Sequence, residues 1–205
     1  MFEIQHIGIP VEDMEKTVAW YGDMGFSPHF RTVLNDGVKV AFIEVAGTML
    51  EFYTSPLSKP DNPVIGALHF ISPELEGTYS GPSGENLVFE KGALASLAYI
   101  ELNSSDPVQT ADDLVLHSFV KDDDFFRNGN VRLKIREVSE GLVAPGPVNH
   151  IAFDEKDLQE RYAAVTSKGI PVVEGIAVLP FFENGVTYFV TENHDGLRLE
   201  YNQFL

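Results

Sequence analysis

The chain has 205 residues, of which 44% are hydrophobic and 11% aromatic, so it is long enough to fold around a packed core as one large domain or two small ones. Its net charge of −17 argues against the lysine- and arginine-rich surfaces with which proteins bind nucleic acids or anionic membranes. The absence of cysteine excludes disulfides, thiolate metal ligands and cysteine nucleophiles.

The segment 1–56 predicts a strand, a helix and three further strands, the order βαβββ. The helix is indicated by Met14, Val18 and Tyr21, which recur at helical spacing after an acidic start and before glycines. The strands are predicted from alternation and turn residues at 2–10, 26–32, 38–46 and 48–54.

The segment 57–145 is too long for an unstructured connection within a compact domain, and it contains strand-like runs of its own. We therefore predict an inserted β-rich subdomain with one helix near 111–120. Residues 98–106 weakly resemble the opening of the first unit, which is compatible with a degenerate third copy. The strand-like runs are 67–72, 86–90, 97–102 and 131–138.

The segment 146–205 repeats the order of the first unit, and a repeat of this kind decides the fold. A helix is predicted at 156–168, ended by Gly169. The strands are predicted at 148–153, 170–173, 185–191 and 197–204.

Each of the two copies carries a histidine in its first strand and a glutamate in its last. His6 and His150 are the histidines, and Glu51 and Glu200 are the glutamates. Alternation along the last strands places both glutamates opposite the apolar face, on the side we expect to be concave. Two imidazoles and two carboxylates are the donor set of a divalent metal site, and burying them without a cation would cost several kcal/mol for each unpaired charge.

The other histidines, His29, His69, His117 and His194, are interpreted as structural, with His69 kept in reserve because its segment resembles a unit-opening strand. Tyr53 and the pair Phe181 and Phe182 are expected to line the cavity or the core. Arg198 lies on the face of Glu200 and could hold a substrate carboxylate or pair with an acid. In the two copies, only Arg31, Arg161 and Arg198 are available as arginines for an anionic substrate.

The runs HIGIPVEDMEKTVAWYGDMGF and DGLRLEYNQ resemble the paired modules of the vicinal oxygen chelate superfamily, which includes glyoxalase I, methylmalonyl-CoA epimerase, extradiol dioxygenases and bleomycin resistance proteins. The resemblance covers 1–56 and 146–205 and leaves out the insert. It implies an α+β fold in which paired βαβββ modules form an open, eight-stranded, barrel-like sheet with a metal in its cup. By position, the family's ligands fall on His6, Glu51, His150 and Glu200.

The function implied by the resemblance is that of a metal-dependent, glyoxalase-like lyase or isomerase. It would act on a small carbonyl substrate through an enediolate-type intermediate, with Glu51 or Glu200 doubling as general base. Nickel, cobalt, manganese, zinc or iron would suit the donor set. Two alternatives stay open: an extradiol-type ring-cleaving dioxygenase, and a non-catalytic protein that binds a drug or another small molecule.

The expected partner is a small-molecule substrate, and neither nucleic acid nor a membrane is expected. No apolar run reaches the length of a membrane span and no signal-peptide core follows the first residues, which predicts a soluble, cytoplasmic protein. A homodimer is compatible with the paired modules.

Overall fold

Two mixed β-sheets carry the fold of this protein. The structure is a computed structural model and describes residues 2–141, 143–180 and 184–205. The first elements in chain order are β1 (Ile4–Val11), α1 (Met14–Asp23), β2 (Pro28–Val33), β3 (Lys39–Val45) and β4 (Thr48–Thr54). They form the βαβββ unit that the sequence predicts.

The middle of the chain adds a second set of strands. Its elements are β5 (Asn62–Pro63), β6 (Ile65–Ser72), β7 (Gly77–Ser80), β8 (Asn86–Lys91), β9 (Ser96–Ser104), α2 (Pro107–Leu116), β10 (Val120–Asp122), β11 (Phe125–Asn128), β12 (Val131–Glu137) and β13 (Val143–Ala144). Helix α2 begins before the predicted 111–120 because Asp106 caps it, accepting a hydrogen bond from the Gln109 backbone amide.

The last segment contains β14 (His150–Asp154), α3 (Leu158–Ser167), β15 (Val172–Leu179), β16 (Val186–Glu192) and β17 (Arg198–Phe204). The strand predicted at 170–173 is longer in the structure, because β15 stays paired with β16 through two register irregularities.

The first and last units join into one eight-stranded sheet, in the order β15-β16-β17-β14-β1-β4-β3-β2. At its centre β1 and β14 run antiparallel, with Ile7 opposite Ile151. Each of these strands then lies parallel to the last strand of its own unit, β4 or β17. Within the described residues β15 and β2 lie at the ends of this order, so the sheet is open, and the predicted α+β class with paired modules is confirmed.

The middle segment forms a seven-stranded sheet in the order β10-β11-β12-β9-β6-β8-β7. The run β9-α2-β10-β11-β12 is again βαβββ, and β9 lies parallel to β12 as β1 does to β4. The segment that weakly resembles a unit opening therefore does open a unit of this order. The division of the chain at 56 and 145 stays our interpretation.

One continuous hydrophobic core serves both sheets. Ile7 and Leu50 of the eight-stranded sheet and Leu68 and Ile100 of the seven-stranded sheet are fully buried members of the same cluster. Because strand side chains alternate between faces, the two sheets present their opposite faces away from this core. The metal-ligand candidates lie on such an outer face.

Buried polar contacts also join the two sheets. The Tyr21 hydroxyl donates to a Glu85 carboxylate oxygen at 3.0 Å, and the Asp195 carboxylate accepts from the hydroxyls of Ser104, Ser105 and Thr110 at 2.6–3.0 Å. Burial alone would raise the pKa of Asp195, but these hydroxyl bonds lower it. None of the helices in the described part of the chain has the length and apolar character needed to cross a membrane.

Candidate metal centre

The four side chains singled out from the sequence meet at the middle of the eight-stranded sheet. His6 and His150 lie on its two central strands, and Glu51 and Glu200 lie on the strands next to them. All four are buried, with 6–8% of each residue exposed. They come together because each glutamate follows a residue that pairs directly with a central-strand isoleucine, Leu50 with Ile7 and Leu199 with Ile151.

The donor atoms lie close enough to share one cation. The Nε2 atoms of His6 and His150 are 3.1 Å apart, and His6 Nε2 lies 3.2 Å from Glu51 Oε2. Glu200 lies 3.7 Å from each imidazole through its two oxygens. His6, Glu51 and His150 form a group whose ligand atoms all lie within 4.8 Å of one another.

Each imidazole is oriented by the residue that precedes it. The Nδ1 atom of His6 lies 3.1 Å from Gln5 Oε1, and the Nδ1 atom of His150 lies 3.1 Å from Asn149 Oδ1. An amide oxygen accepts a hydrogen bond, so each Nδ1 carries a proton as donor and each Nε2 faces the centre. Gln5 and Asn149 are not among the residues singled out from the sequence, although an amide residue directly before each of these two histidines is a repeated pattern.

Gly8 leaves the space that the His150 ring occupies. The two residues are paired across β1 and β14, and a Cβ atom at Gly8 would lie 2.0 Å from His150 Cε1. Any larger residue at this position would push the imidazole away from the centre. The sequence offered only the contrast between Gly8 in the first copy and Ala152 in the second.

The four groups shift each other's pKa values. Burial alone would lower the pKa of His6, but the Glu51 carboxylate outweighs it and the pKa is raised. Burial would raise the pKa of Glu51, and His6 reverses this and lowers it. Burial lowers the pKa of His150, and Glu200 only partly offsets that effect. The centre therefore favours an ionised Glu51 beside a readily protonated His6, with His150 neutral.

This donor chemistry fits a divalent cation. Both Nδ1 atoms are committed to amide oxygens, which leaves the Nε2 atoms and the carboxylates to face one point. A cation there would take the place of a proton on His6 and would balance the charges of two buried carboxylates. The His6–Glu51–His150 cluster could hold a metal ion whose identity the geometry leaves open.

The centre lies in a cavity of about 760 Å³ on the outer face of the eight-stranded sheet. One wall, from β2 to β4, is apolar and includes Phe30, Val40, Phe42 and Met49. The other side carries polar residues, among them Glu174, Tyr188 and Arg198. Tyr53 lines the cavity with its ring stacked 6.2 Å from that of His150, while Phe181 and Phe182 lie outside the described residues.

The remaining histidines have separate surroundings. His117 is buried and bonds the Tyr201 hydroxyl through Nδ1 at 2.6 Å, and His194 pairs with Asp113 at 3.0 Å. His69 stacks on Tyr99 in the seven-stranded sheet. His29 lines the cavity, where it is exposed and 3.9 Å from Glu44, so its assignment as purely structural leaves out this position.

Each of the three arginines considered for an anionic substrate has an acidic partner. Arg198 lies 2.9 Å from Glu174 and 3.1 Å from Glu192. Arg161 lies 2.7 Å from Glu155, and Arg31 pairs with Glu15. Of the two roles left open for Arg198, the structure shows the pairing with acids.

Comparisons with known proteins agree with the fold. The family model described as the Glyoxalase/Bleomycin resistance protein/Dioxygenase superfamily matches residues 3–201. A crystal structure of glyoxalase I from Zea mays is similar with a TM-score of 0.76 at 12% identity, covering 99% of this chain and 92% of that one. A putative dioxygenase from Bacillus subtilis is similar with a TM-score of 0.66 at 19% identity, covering 98% and 84%. A search of curated proteins found no match.

Proposed function

The chain belongs to the glyoxalase, bleomycin resistance protein and dioxygenase superfamily, and from this premise we propose that it is a metal-dependent lyase or isomerase acting on a small carbonyl substrate. The observation that carries the proposal is the meeting of His6, Glu51, His150 and Glu200 at one point of an open cavity.

In this proposal His6, Glu51, His150 and Glu200 hold the metal, which when bound supplies Lewis-acid polarisation of a carbonyl oxygen. The chain's own residues do the rest. Gln5 and Asn149 fix the imidazole rings through their Nδ1 atoms. The apolar wall excludes water from the reacting carbon.

Glu200 is the carboxylate best placed to take a proton from the carbon next to the carbonyl. It lies farther from the His6 imidazole than Glu51 does, 3.7 Å against 3.2 Å. Its Oε1 accepts a hydrogen bond from Asn202 Nδ2 at 2.8 Å, which holds the carboxylate in place while Oε2 stays directed toward the centre.

Two measurements test this proposal. Mass spectrometry of protein purified without chelator should find a bound divalent metal, with affinity reduced in Glu51→Gln and unchanged in the control Glu160→Gln, an exposed carboxylate on α3. With α-hydroxycarbonyl substrates in heavy water, NMR should show deuterium entering at the carbon next to the carbonyl, and Glu200→Gln should stop it. A protein that binds no divalent metal, or exchange that survives in Glu200→Gln, would contradict the assignment.

One observation favours a second candidate, a ring-cleaving dioxygenase. His6, His150 and Glu51 form a group of two histidines and one carboxylate whose ligand atoms lie within 4.8 Å of one another, and this set is typical of non-haem iron oxygenases. Turnover of catechols that requires both oxygen and iron would favour this candidate, whereas oxygen-independent isomerisation would favour the first.

A further inference from the structure

We propose that the substrate is electrically neutral and apolar beyond the oxygens that face the metal centre, and that the Glu174–Arg198 pair excludes substrates with a second anionic group. This inference rests on the proposed function and adds to it the chemical class of the substrate.

The apolar wall is a separate hydrophobic cluster outside the main core. Val40 and Phe42 are its buried members, Val186 of β16 belongs to the same cluster from the other unit, and half-buried side chains pack against them, including Phe30, Leu34 and Met49. All of these residues line the cavity. A concave apolar surface of this kind gains free energy when a ligand removes it from water.

This wall begins at the metal centre itself. The ring of Phe42 meets the ring of His6 edge-on, with centroids 5.8 Å apart. The group that a substrate carries next to its metal-facing oxygens is therefore in contact with apolar side chains from its first atoms. A charged group there would lose water without gaining a partner.

Among the described residues that line the cavity, no arginine or lysine is free to pair with an anion. Arg198 is the only arginine or lysine among the described residues that line it. Its guanidinium is committed on three sides, to Glu174 at 2.9 Å, to Glu192 at 3.1 Å and to Asn149 at 3.5 Å. Two carboxylates on one guanidinium leave this corner with a negative balance, and residues 181–183 contain no lysine or arginine in the sequence.

The remaining charged groups that face the cavity do not supply a positive charge for the tail of an anionic substrate. Glu51 and Glu200 are carboxylates, so a bound divalent cation would only balance them. His29 at the edge is exposed and 3.9 Å from Glu44. The net charge of −17 gives the whole protein the same sign. A substrate whose tail ends in a carboxylate meets repulsion both on approach and in the cavity.

Glu174 is the residue that sets this selectivity. It is half-buried on β15, and it also lies 3.4 Å from the Tyr188 hydroxyl, which donates to it. Replacing its carboxylate with an amide of the same shape keeps the packing and leaves the Arg198 guanidinium with one carboxylate partner. The positive charge then becomes available to a ligand.

A matched pair of chelating probes tests the inference by calorimetry on metal-loaded protein. Octanohydroxamic acid and the monohydroxamic acid of suberic acid share a chelating head and an eight-carbon chain, taken as roughly the reach of a small-molecule cavity, and differ in a terminal carboxylate. We expect the neutral probe to bind at least about tenfold more tightly than the carboxylate probe. In Glu174→Gln this ratio of affinities should become smaller, because the carboxylate probe binds more tightly. Equal or tighter binding of the carboxylate probe by the unaltered protein would overturn the inference.

A second variant tests the wall without disturbing the core. Leu34→Lys places a cation at a half-buried position that lines the cavity, and it should improve binding of the carboxylate probe and weaken binding of the neutral one. Val33→Lys is the matched control, since Val33 is the adjacent residue, is 62% exposed and lies outside the cavity lining. The same change in both variants would show a general charge effect and would contradict the assignment of the wall.

Metal content measured beforehand separates the two proposals. If the protein binds no divalent metal, the proposed function fails. The inference is then judged on metal-free protein, by displacement of the neutral dye Nile red with octanamide and with the monoamide of suberic acid. Preference for octanamide would support the apolar cavity independently of the metal, and equal displacement by both amides would overturn the inference.

Discussion

The two sheets share the arrangement of their central strands, and among the described residues only the eight-stranded sheet carries the candidate metal ligands. The buried pair Ile7 and Ile151 at the centre of the eight-stranded sheet has its counterpart in Leu68 and Ile100 of the seven-stranded sheet. In both sheets the central strands run antiparallel, and each lies parallel to an outer strand. The registers can therefore be superposed position by position.

When the two sheets are superposed, none of the four candidate ligands has a metal-binding counterpart of the same type. Counting from the buried pairs, the positions of the four candidate ligands are occupied in the seven-stranded sheet by Ala67, Val88, Tyr99 and Lys134. A methyl, an isopropyl group, a phenol and an ammonium cannot form a divalent metal site, and the ammonium is itself a cation. The difference teaches that the paired central strands supply a scaffold, and that the candidate donor set depends on the four residues placed on it.

The position of Gly8 shows the same contrast. Its counterpart is His69, which stacks on Tyr99 with ring centroids 4.0 Å apart. In the eight-stranded sheet Gly8 has no side chain and the His150 ring lies over it, whereas in the seven-stranded sheet the side chain at this position is a second ring. Two stacked rings in the seven-stranded sheet therefore stand where the eight-stranded sheet has a glycine and one ring.

The largest expected effect comes from removing both imidazoles. His6→Ala with His150→Ala should weaken metal binding by more than about 100-fold, since loss of an orienting partner alone typically costs 10–100-fold. Calorimetric titration with a divalent metal measures this. Equal loss in a Tyr99→Ala, Lys134→Gln variant would break the comparison between the sheets.

The next effect concerns a contact that joins the two sheets, between His117 at the end of α2 and Tyr201 of β17. Burial lowers the pKa of His117 to about 4, with Lys168 and Arg161 adding to the shift against the opposing effect of Asp113. Because this pKa is lower than in the unfolded chain, its stabilising contribution is complete above about pH 6.5 and is lost as the pH falls toward 4.

Urea unfolding measures the size of that loss. Between about pH 7 and about pH 5 the free energy of unfolding should fall by about 2 kcal/mol more than in His117→Gln, which cannot be protonated. The same pH dependence in the variant would assign the loss to other groups.

A smaller effect is expected from Gly8→Ala. The added Cβ would meet the His150 ring at 2.0 Å, so the imidazole must move, and metal affinity should fall by about 10–100-fold. Gly22→Ala is the control, because nothing lies within 4 Å of a Cβ at that helical position. Unchanged affinity in Gly8→Ala would show that the ring position is not critical.

The smallest effect is expected from a substitution in the seven-stranded sheet. Lys134→Gln alters the ligand-equivalent position of the seven-stranded sheet, and it should change neither metal affinity nor stability by more than about 0.5 kcal/mol. Thermal unfolding with and without metal measures both. A clear loss of the metal-dependent shift would mean that the seven-stranded sheet takes part in binding.

How much could be read from the sequence follows from the same contrast. The eight-stranded sheet could be predicted because its two units share both the alternation of apolar residues and the unusual polar residues, such as His6 and His150. The second sheet could not be predicted as such, because its units keep only the buried faces, and buried faces such as those of Leu68 and Ile100 are common to all strands.

The donor residues could be predicted from the sequence, but the residues that surround them could not. Local alternation places Glu51 and Glu200 on the polar face of their strands, so their direction could be predicted. The close approach of Gly8 to His150 depends on pairing between strands far apart in the chain, which local patterns do not contain. The guanidinium contacts of Arg198 depend on β15, whose length was also underestimated.

The strands of the seven-stranded sheet lie in the sequence between the two units of the eight-stranded sheet, and this order has a consequence for biosynthesis. The strands of the seven-stranded sheet come from one continuous stretch of the chain. In the eight-stranded sheet, β1 and β4 are joined by β14 and β17 only after the last segment has been made. Since folding during translation proceeds from the amino terminus, the seven-stranded sheet can be complete while the candidate metal centre is still half built. A polypeptide lacking β17 would be missing Glu200 and Arg198, which are one of the four candidate ligands and the only arginine among the described residues that line the cavity, so the full set of candidate ligands forms only after β17 has been made.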